Sequence, residues 1–208
     1  RELTVIASGG DGDGYAIGMG HTIHSIRRNI DITYIVMDNQ IYGLTKGQTS
    51  PRSEKGFKNP KSTPMGSIES EIKPLEMALT VGATFVAQSV SSDLKGLVSI
   101  IEAGIKHKGF SLINVYSPCV TYNKLNTYDW FKENLTSLDD IEGYDPTDKV
   151  MAMTTLMNHN SLVTGIIYQD TTKPSYEDQV RGFKEEALSK QDLDFPRDKF
   201  EKLVAEFM

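Results

Sequence analysis

Asp11 and Asn39 stand 28 residues apart, and each follows a short apolar run: residues 3–8 (LTVIAS) and 32–37 (ITYIVM). A carboxylate and an amide oxygen are hard donors, suited to Mg²⁺ or Ca²⁺ and poorly suited to zinc or copper. Asp11 lies within the turn GGDGDG, whose glycines at 9, 10, 12 and 14 let the backbone approach a ligand closely and adopt positive φ. A segment of helical length follows, and its first N–H groups and dipole would face an anion. A cation beside an anion-binding turn suggests a bound diphosphate. The same residues also read as a glycine-rich turn carrying solvated aspartates.

Other phosphate and metal motifs fail residue by residue. A P-loop needs Gly-Lys-Ser/Thr, but Gly14 is followed by Tyr15. In the pattern GxGxxG, the third glycine would fall on Tyr15 or Ile17. An EF-hand loop starting at Asp11 would need an acid at its twelfth position, where Thr22 stands.

The two sites come together only if the elements around them form an open α/β sheet. Both apolar runs are short, β-branched and nearly continuous, as parallel strands buried on both faces are. A helix over about 15–29 would join them, bringing both polar turns to the carboxyl ends of neighbouring strands, where such folds bind ligands. His21 and His24 fall on that helix and read as packing or capping groups, since no third ligand is near them.

Residues 45–73 are rich in Gly, Pro, Ser, Lys and Glu, with prolines at 51, 60 and 64, and form a long loop that is a lid, a partner wall or disordered. Further on, the pattern predicts a helix from Pro74 closed by Gly82, a strand over 83–89, a helix capped by Ser91 or Ser92, and a strand over Ser111–Tyr116. Beyond Val120 the rhythm fades: an aromatic group at 128–131, a helix within 146–157, an edge strand over 162–168, and charged helices over 176–189 and 196–208. Two regions result, an α/β core over 1–123 and a C-terminal extension over 124–208.

The chain has 208 residues, 38% hydrophobic and 24% charged, with a net charge of −6. An acidic balance gives no support for nucleic acid or an anionic membrane as partner. The longest uncharged run, 150–169, is broken by Asn158-His159-Asn160-Ser161 and does not read as a membrane span. Cys119 is the sole cysteine, which fits a reducing, cytoplasmic setting. A chain rarely opens on a core strand, so further sequence is expected upstream of Arg1.

The GDG, the spacing of about 28 residues and the following Asn resemble the metal and diphosphate motif of thiamine-diphosphate enzymes. More specifically, HTIHSIRRNIDIT and IYGLTKGQTSP look like the β subunit of 2-oxoacid:ferredoxin oxidoreductases. By that resemblance Asp11, the Asn39 side chain and the Ile41 carbonyl hold Mg²⁺. Gly10, Gly12, Asp13, Ile41, Gly43 and Leu44 contact the cofactor, and Leu44 and Lys46 lie near the thiazolium and the incoming substrate. Read from composition alone, Lys46 is a solvated surface lysine sooner than a substrate ligand; the resemblance reverses that order. Asp38 departs from the family's usual second Asn. Ser117-Pro118-Cys119 matches the place where the family supplies the fourth thiolate of a 4Fe–4S cluster, whose other three cysteines lie upstream of the diphosphate motif. A lone cysteine is otherwise an ordinary buried residue.

The resemblance implies oxidative decarboxylation of a 2-oxoacid to acyl-CoA and CO₂, with electrons passing through the 4Fe–4S cluster to ferredoxin. It also implies an obligatory α (or fused γα) partner subunit. Two other readings fit the generic motif: a non-redox thiamine-diphosphate decarboxylase or carboligase, and a non-catalytic assembly subunit of the same fold.

Overall fold

The structure, a computed structural model, describes residues 3–180, 190 and 194–207. It divides into one unit over Thr4–Gln179 and a second formed by the remaining terminal residues.

The larger unit is built on a six-stranded sheet in the order β1-β2-β6-β5-β8-β7. These strands are β1 (Ile6–Gly10), β2 (Thr33–Asp38), β5 (Phe85–Val90), β6 (Ser111–Tyr116), β7 (Thr136–Ser137) and β8 (Val163–Gln169). β1, β2, β6 and β5 run parallel, while β8 is antiparallel to β5 and carries the two-residue β7 at the far edge. A separate two-stranded hairpin, β3 (Ile41–Tyr42) with β4 (Gln48–Thr49), follows β2.

Alternation along the strands feeds two cores. Val36, Leu112, Val86, Val163 and Ile167 face one side, packed with Ile26 of α1 (Met19–Arg28), Leu75 and Leu79 of α2 (Pro74–Val81) and Leu156 of α5 (Lys149–Asn158). Ile113, Val115, Phe85 and Ala87 face the other, where α3 (Leu94–Lys106) supplies Leu97 and Ile100. Helices on both faces of a mainly parallel sheet make this the expected open α/β fold. Two short helices, α4 (Tyr128–Asn134) and α6 (Tyr176–Gln179), complete the unit; α7 (Arg197–Ala205) belongs to the smaller one.

Several elements differ from the sequence reading. β1 starts at Ile6 and is not buried on both faces, because it lies at the sheet edge with Val5 and Ile6 half exposed. The first helix is broken: residues Asp13–Ile17 form a wide π turn closed by Gly18 N–H to the Asp13 carbonyl (2.7 Å), and α1 begins only after it. His21 and His24 are exposed, so neither packs into the core. Asp93, not Ser91 or Ser92, caps α3, accepting from Gly96 N–H at 3.0 Å. The loop over 45–73 contains β4 and inserts Phe57 and Arg52 into the interior. Most of the helix expected over 176–189 lies outside the described residues.

Candidate functional site

The register of β1 with β2 ends at Gly10 opposite Met37, so Asp11 leaves the sheet beside Asp38. Asp11 is 2% exposed, and its Oδ2 accepts a short hydrogen bond from the Ser50 hydroxyl. Burial, reinforced by the neighbouring Asp38 charge, pushes the Asp11 carboxyl up to about 7. The fold therefore favours the neutral acid unless a cation stands beside it.

Asp38 is matched through one oxygen, its buried Oδ1 having no hydrogen-bond partner among the described residues. Arg52 Nε donates to its Oδ2 at 2.8 Å, and Asn114 Nδ2 donates to the same oxygen at 3.2 Å. Burial opposes the charge on Arg52, but the Asp38 carboxylate outweighs it and holds the guanidinium protonated well above its usual range. Arg52 also donates to the Ile72 carbonyl (2.6 Å) and to the Tyr116 hydroxyl (3.5 Å). The Asp38 carboxylate therefore stands opposite a dedicated buried cation.

Behind this pair lies a polar chain on the central strands. The Tyr15 hydroxyl donates to Asn114 Oδ1 (2.9 Å), and Asn114 Nδ2 donates to Gln88 Oε1 (2.9 Å). Gln88 Nε2 then donates to the Ser161 and Val163 carbonyls at 2.7 and 2.8 Å. Sequence reasoning missed these residues, although Asn114 and Gln88 are polar interruptions of apolar strands and give a visible signal. Arg52 and Ser53, from the aperiodic loop, give none, and Ser50 shows only as part of the IYGLTKGQTSP segment.

The turn after β2 is folded over the GGDGDG turn. Asn39 Oδ1 accepts from Ile41 N–H at 3.0 Å, and the Ser53 hydroxyl donates to the carbonyl of Gln40, which adopts φ +60°. The Tyr42 ring rests on Gly12: a β-carbon there would lie 2.0 Å from Tyr42 Cε1. One at Gly14 would meet the Tyr34 hydroxyl at 2.5 Å. The positive φ expected at glycines 9, 10, 12 and 14 is not found; what they provide is room. Asp13 turns back to accept from Gly10 N–H (2.8 Å), so its carboxylate shapes the turn.

The structure thus brings together Asp11, Gly12 and Tyr42, with Asn39 and Ile41 on the adjoining turn. Gly43 also has Cys119 beside it, with Sγ 4.0 Å from the position of a Gly43 β-carbon. Leu44 is fully exposed, and exposed Lys46 adopts φ +70°. Among the described residues no three His, Cys, Asp or Glu side chains cluster as a metal site. A cation at Asp11 would therefore draw on amide and backbone oxygens, the hard set that Asn39 and Ile41 offer.

Residues 1–115 match the family model "Thiamine pyrophosphate enzyme, C-terminal TPP binding domain", and residues 119–185 match the model for the C-terminal part of the pyruvate ferredoxin oxidoreductase beta subunit. A 2-oxoacid:ferredoxin oxidoreductase subunit beta from a Sulfolobus species is 40% identical over 190 residues, covering 86% of this chain and 62% of the relative. The 2-oxoglutarate:ferredoxin oxidoreductase of Magnetococcus marinus, solved with 2-oxoglutarate, coenzyme A and succinyl-CoA bound, superposes with a TM-score of 0.83 at 33% identity, covering 97% of this chain and 68% of that one. The chain belongs to the β subunits of 2-oxoacid:ferredoxin oxidoreductases.

Within that family, the chain spans about 60% of the length of the first curated relatives. A 2-oxoglutarate oxidoreductase subunit KorB from Mycobacterium tuberculosis is 45% identical over 123 residues, 59% of this chain and 33% of that protein. A cavity of about 390 Å³, lined among others by Gln40, Arg52, Lys73, Tyr116 and Trp130, also belongs to the larger unit. No helix among the described residues is long and apolar enough to cross a membrane.

Proposed function

We propose that this chain forms the thiamine-diphosphate and Mg²⁺ site of an enzyme that oxidatively decarboxylates a 2-oxoacid, yielding acyl-CoA and CO₂ and reducing ferredoxin. The observation that carries the proposal is the buried Asp11 carboxyl, held by the Ser50 hydroxyl at the carboxyl ends of two parallel strands, with Tyr42 of the Asn39 turn lying on Gly12 beside it. Asp11, the Asn39 amide oxygen and the Ile41 carbonyl would hold Mg²⁺. An amide oxygen has two lone pairs, so the bond from Ile41 N–H leaves Asn39 able to coordinate.

Bound thiamine diphosphate supplies the electron sink that decarboxylation of a 2-oxoacid requires. The protein's part is positional. Gly10, Gly12 and Gly43 keep side chains out of the cofactor's space, and Tyr42, which lies on Gly12, must shift for a diphosphate to lie against that glycine. Asp13 holds the turn closed through Gly10. Leu44 would cover the reacting end of the cofactor, and the exposed Lys46 ammonium would attract the substrate carboxylate. Cys119, next to Gly43, would give one thiolate of a 4Fe–4S cluster close to the cofactor. Such a cluster needs four ligands, so the other three come from outside these 208 residues. The α partner, coenzyme A and ferredoxin complete the reaction in the cytoplasm.

The test uses the assembled enzyme, purified without oxygen. Reduction of ferredoxin or a viologen dye should require a 2-oxoacid, coenzyme A, thiamine diphosphate and Mg²⁺ together. Decarboxylation without reduction of the acceptor would refute the redox assignment.

A further inference from the structure

The loop turn Ser50-Pro51-Arg52-Ser53 touches the candidate cation site at three points. The Ser50 hydroxyl donates to Asp11, and Ser50 Oγ in turn accepts from Arg52 N–H at 3.2 Å. The Arg52 guanidinium holds Asp38 at 2.8 Å. Ser53 accepts from Ser50 N–H (2.9 Å) and donates to the Gln40 carbonyl (2.6 Å), next to Asn39. The turn is fixed from behind by Ile72, whose N–H donates to the Pro51 carbonyl (2.8 Å) and whose carbonyl accepts from Arg52.

We propose that Arg52 and Asp38 are a paired positioning device for the cation at Asp11, with Ser50 orienting the ligand and the buried ion pair setting the charge beside it. The inference rests on reading Asp11 as a cation ligand. Its physical basis is proximity: Asp38 is the neighbour of Asp11 on the adjacent strand, and both are buried, so solvent screens them weakly. Alone, Asp38 would add a second negative charge to the site; alone, Arg52 would set a cation against the metal. Together they are neutral and leave Asp11 as the one charged ligand. Both act through the charge they place beside Asp11 and through the turn that holds it.

The charges give the test a sign that a purely structural role lacks. The assembled enzyme is stripped with a chelator and titrated with Mn²⁺, free ion being read by electron paramagnetic resonance, with and without thiamine diphosphate. Asp38→Asn leaves the guanidinium uncompensated and should weaken Mn²⁺ binding about tenfold; Arg52→Gln leaves two carboxylates and should tighten it by about the same factor. The double variant Asp38→Asn/Arg52→Gln, again neutral, should return within about threefold of wild type. If Arg52→Gln does not assemble, Asp38→Asn against the double variant decides. Weaker binding in both single variants, or equal binding in Asp38→Asn and the double, overturns the pair. Wild-type enzyme that binds no Mn²⁺ overturns the cation reading and the pair together.

Discussion

Replacing Asp11 by asparagine should make the cofactor-free protein more stable while abolishing its response to Mg²⁺ and thiamine diphosphate. The carboxyl titrates at about 7 in the fold against 3.8 in a free chain, chiefly because burial penalises its charged form. Folding therefore favours the protonated acid: Asp11 has no destabilising effect below pH 3.8, and stability is lost as pH rises towards 7. At about 1.4 kcal/mol per pH unit, the accumulated loss is on the order of 4 kcal/mol, a large share of a typical domain's 5–15. Asparagine keeps an oxygen that can accept from Ser50 but carries no charge. In chelator at pH 8, denaturant unfolding should show Asp11→Asn more stable than wild type by about 2–4 kcal/mol, and the difference should vanish near pH 4. Adding Mg²⁺ and thiamine diphosphate at 100 times their dissociation constant should restore about 2.7 kcal/mol to wild type and nothing to the variant. An Asp11→Asn protein no more stable than wild type at pH 8 in chelator would refute the argument.

Three further outcomes are expected. Asn29, fully buried with φ +55°, accepts from Thr84 Oγ1 (2.7 Å) and Phe110 N–H (2.9 Å) and donates to the Pro174 carbonyl (3.0 Å); Asn29→Ala should cost about 3–5 kcal/mol in denaturant unfolding. His107 is buried with Nε2 against Thr84 (2.8 Å) and Nδ1 without a partner among the described residues, and burial lowers its pKa below 6.5. Its stabilising contribution is complete above pH 6.5 and is lost as pH falls through the lowered value. This slope opposes that of Asp11, so it is read as the difference between wild type and His107→Gln, which should shrink on acidification from pH 7 to 5. Finally, Lys46→Gly should relieve the left-handed backbone and raise stability by about 1 kcal/mol, while raising KM for the 2-oxoacid by removing the ammonium; a steady-state assay beside a thermal melt checks both.

What was legible in the sequence were elements whose local signals agree with their packing. Pro74 opens α2 and Gly82, at φ +99°, closes it, at the positions the sequence indicates. β6 runs over Ser111–Tyr116 as read, because a strand-forming run interrupted only by Asn114, between Gly109 and Pro118, leaves little choice. β1 was shifted because Gly9 and Gly10, poor strand formers, look like turn; β2 nevertheless offers them partners in Val36 and Met37, and pairing outweighs propensity. The break in the first helix is likewise tertiary in origin. Gly14 packs against Tyr34 and Thr22 donates to the Gly14 carbonyl (3.0 Å), so the turn is shaped by the sheet beneath it.

The site divides along the same line. Asp11 and Asn39 stand out because glycines and strands frame them at a spacing the fold makes meaningful. Arg52 does not, because its importance comes from reaching Asp38 across an aperiodic loop. The sequence did contain half of that relation: a carboxylate at Asp38, buried at the end of a central strand, demands a counter-charge. With 22 lysines and arginines in the chain, composition could not say which one answers it. Folding selects Arg52 through contacts that have nothing to do with charge, the Pro51 and Ile72 backbone pairing and the Ser53 hydroxyl on Gln40. Breaking those contacts should therefore uncouple the cation from Asp38 as surely as mutating either partner. The long loop is in this sense part of the site, although no residue in it except Ser50 reaches Asp11 through a hydrogen bond among the described residues.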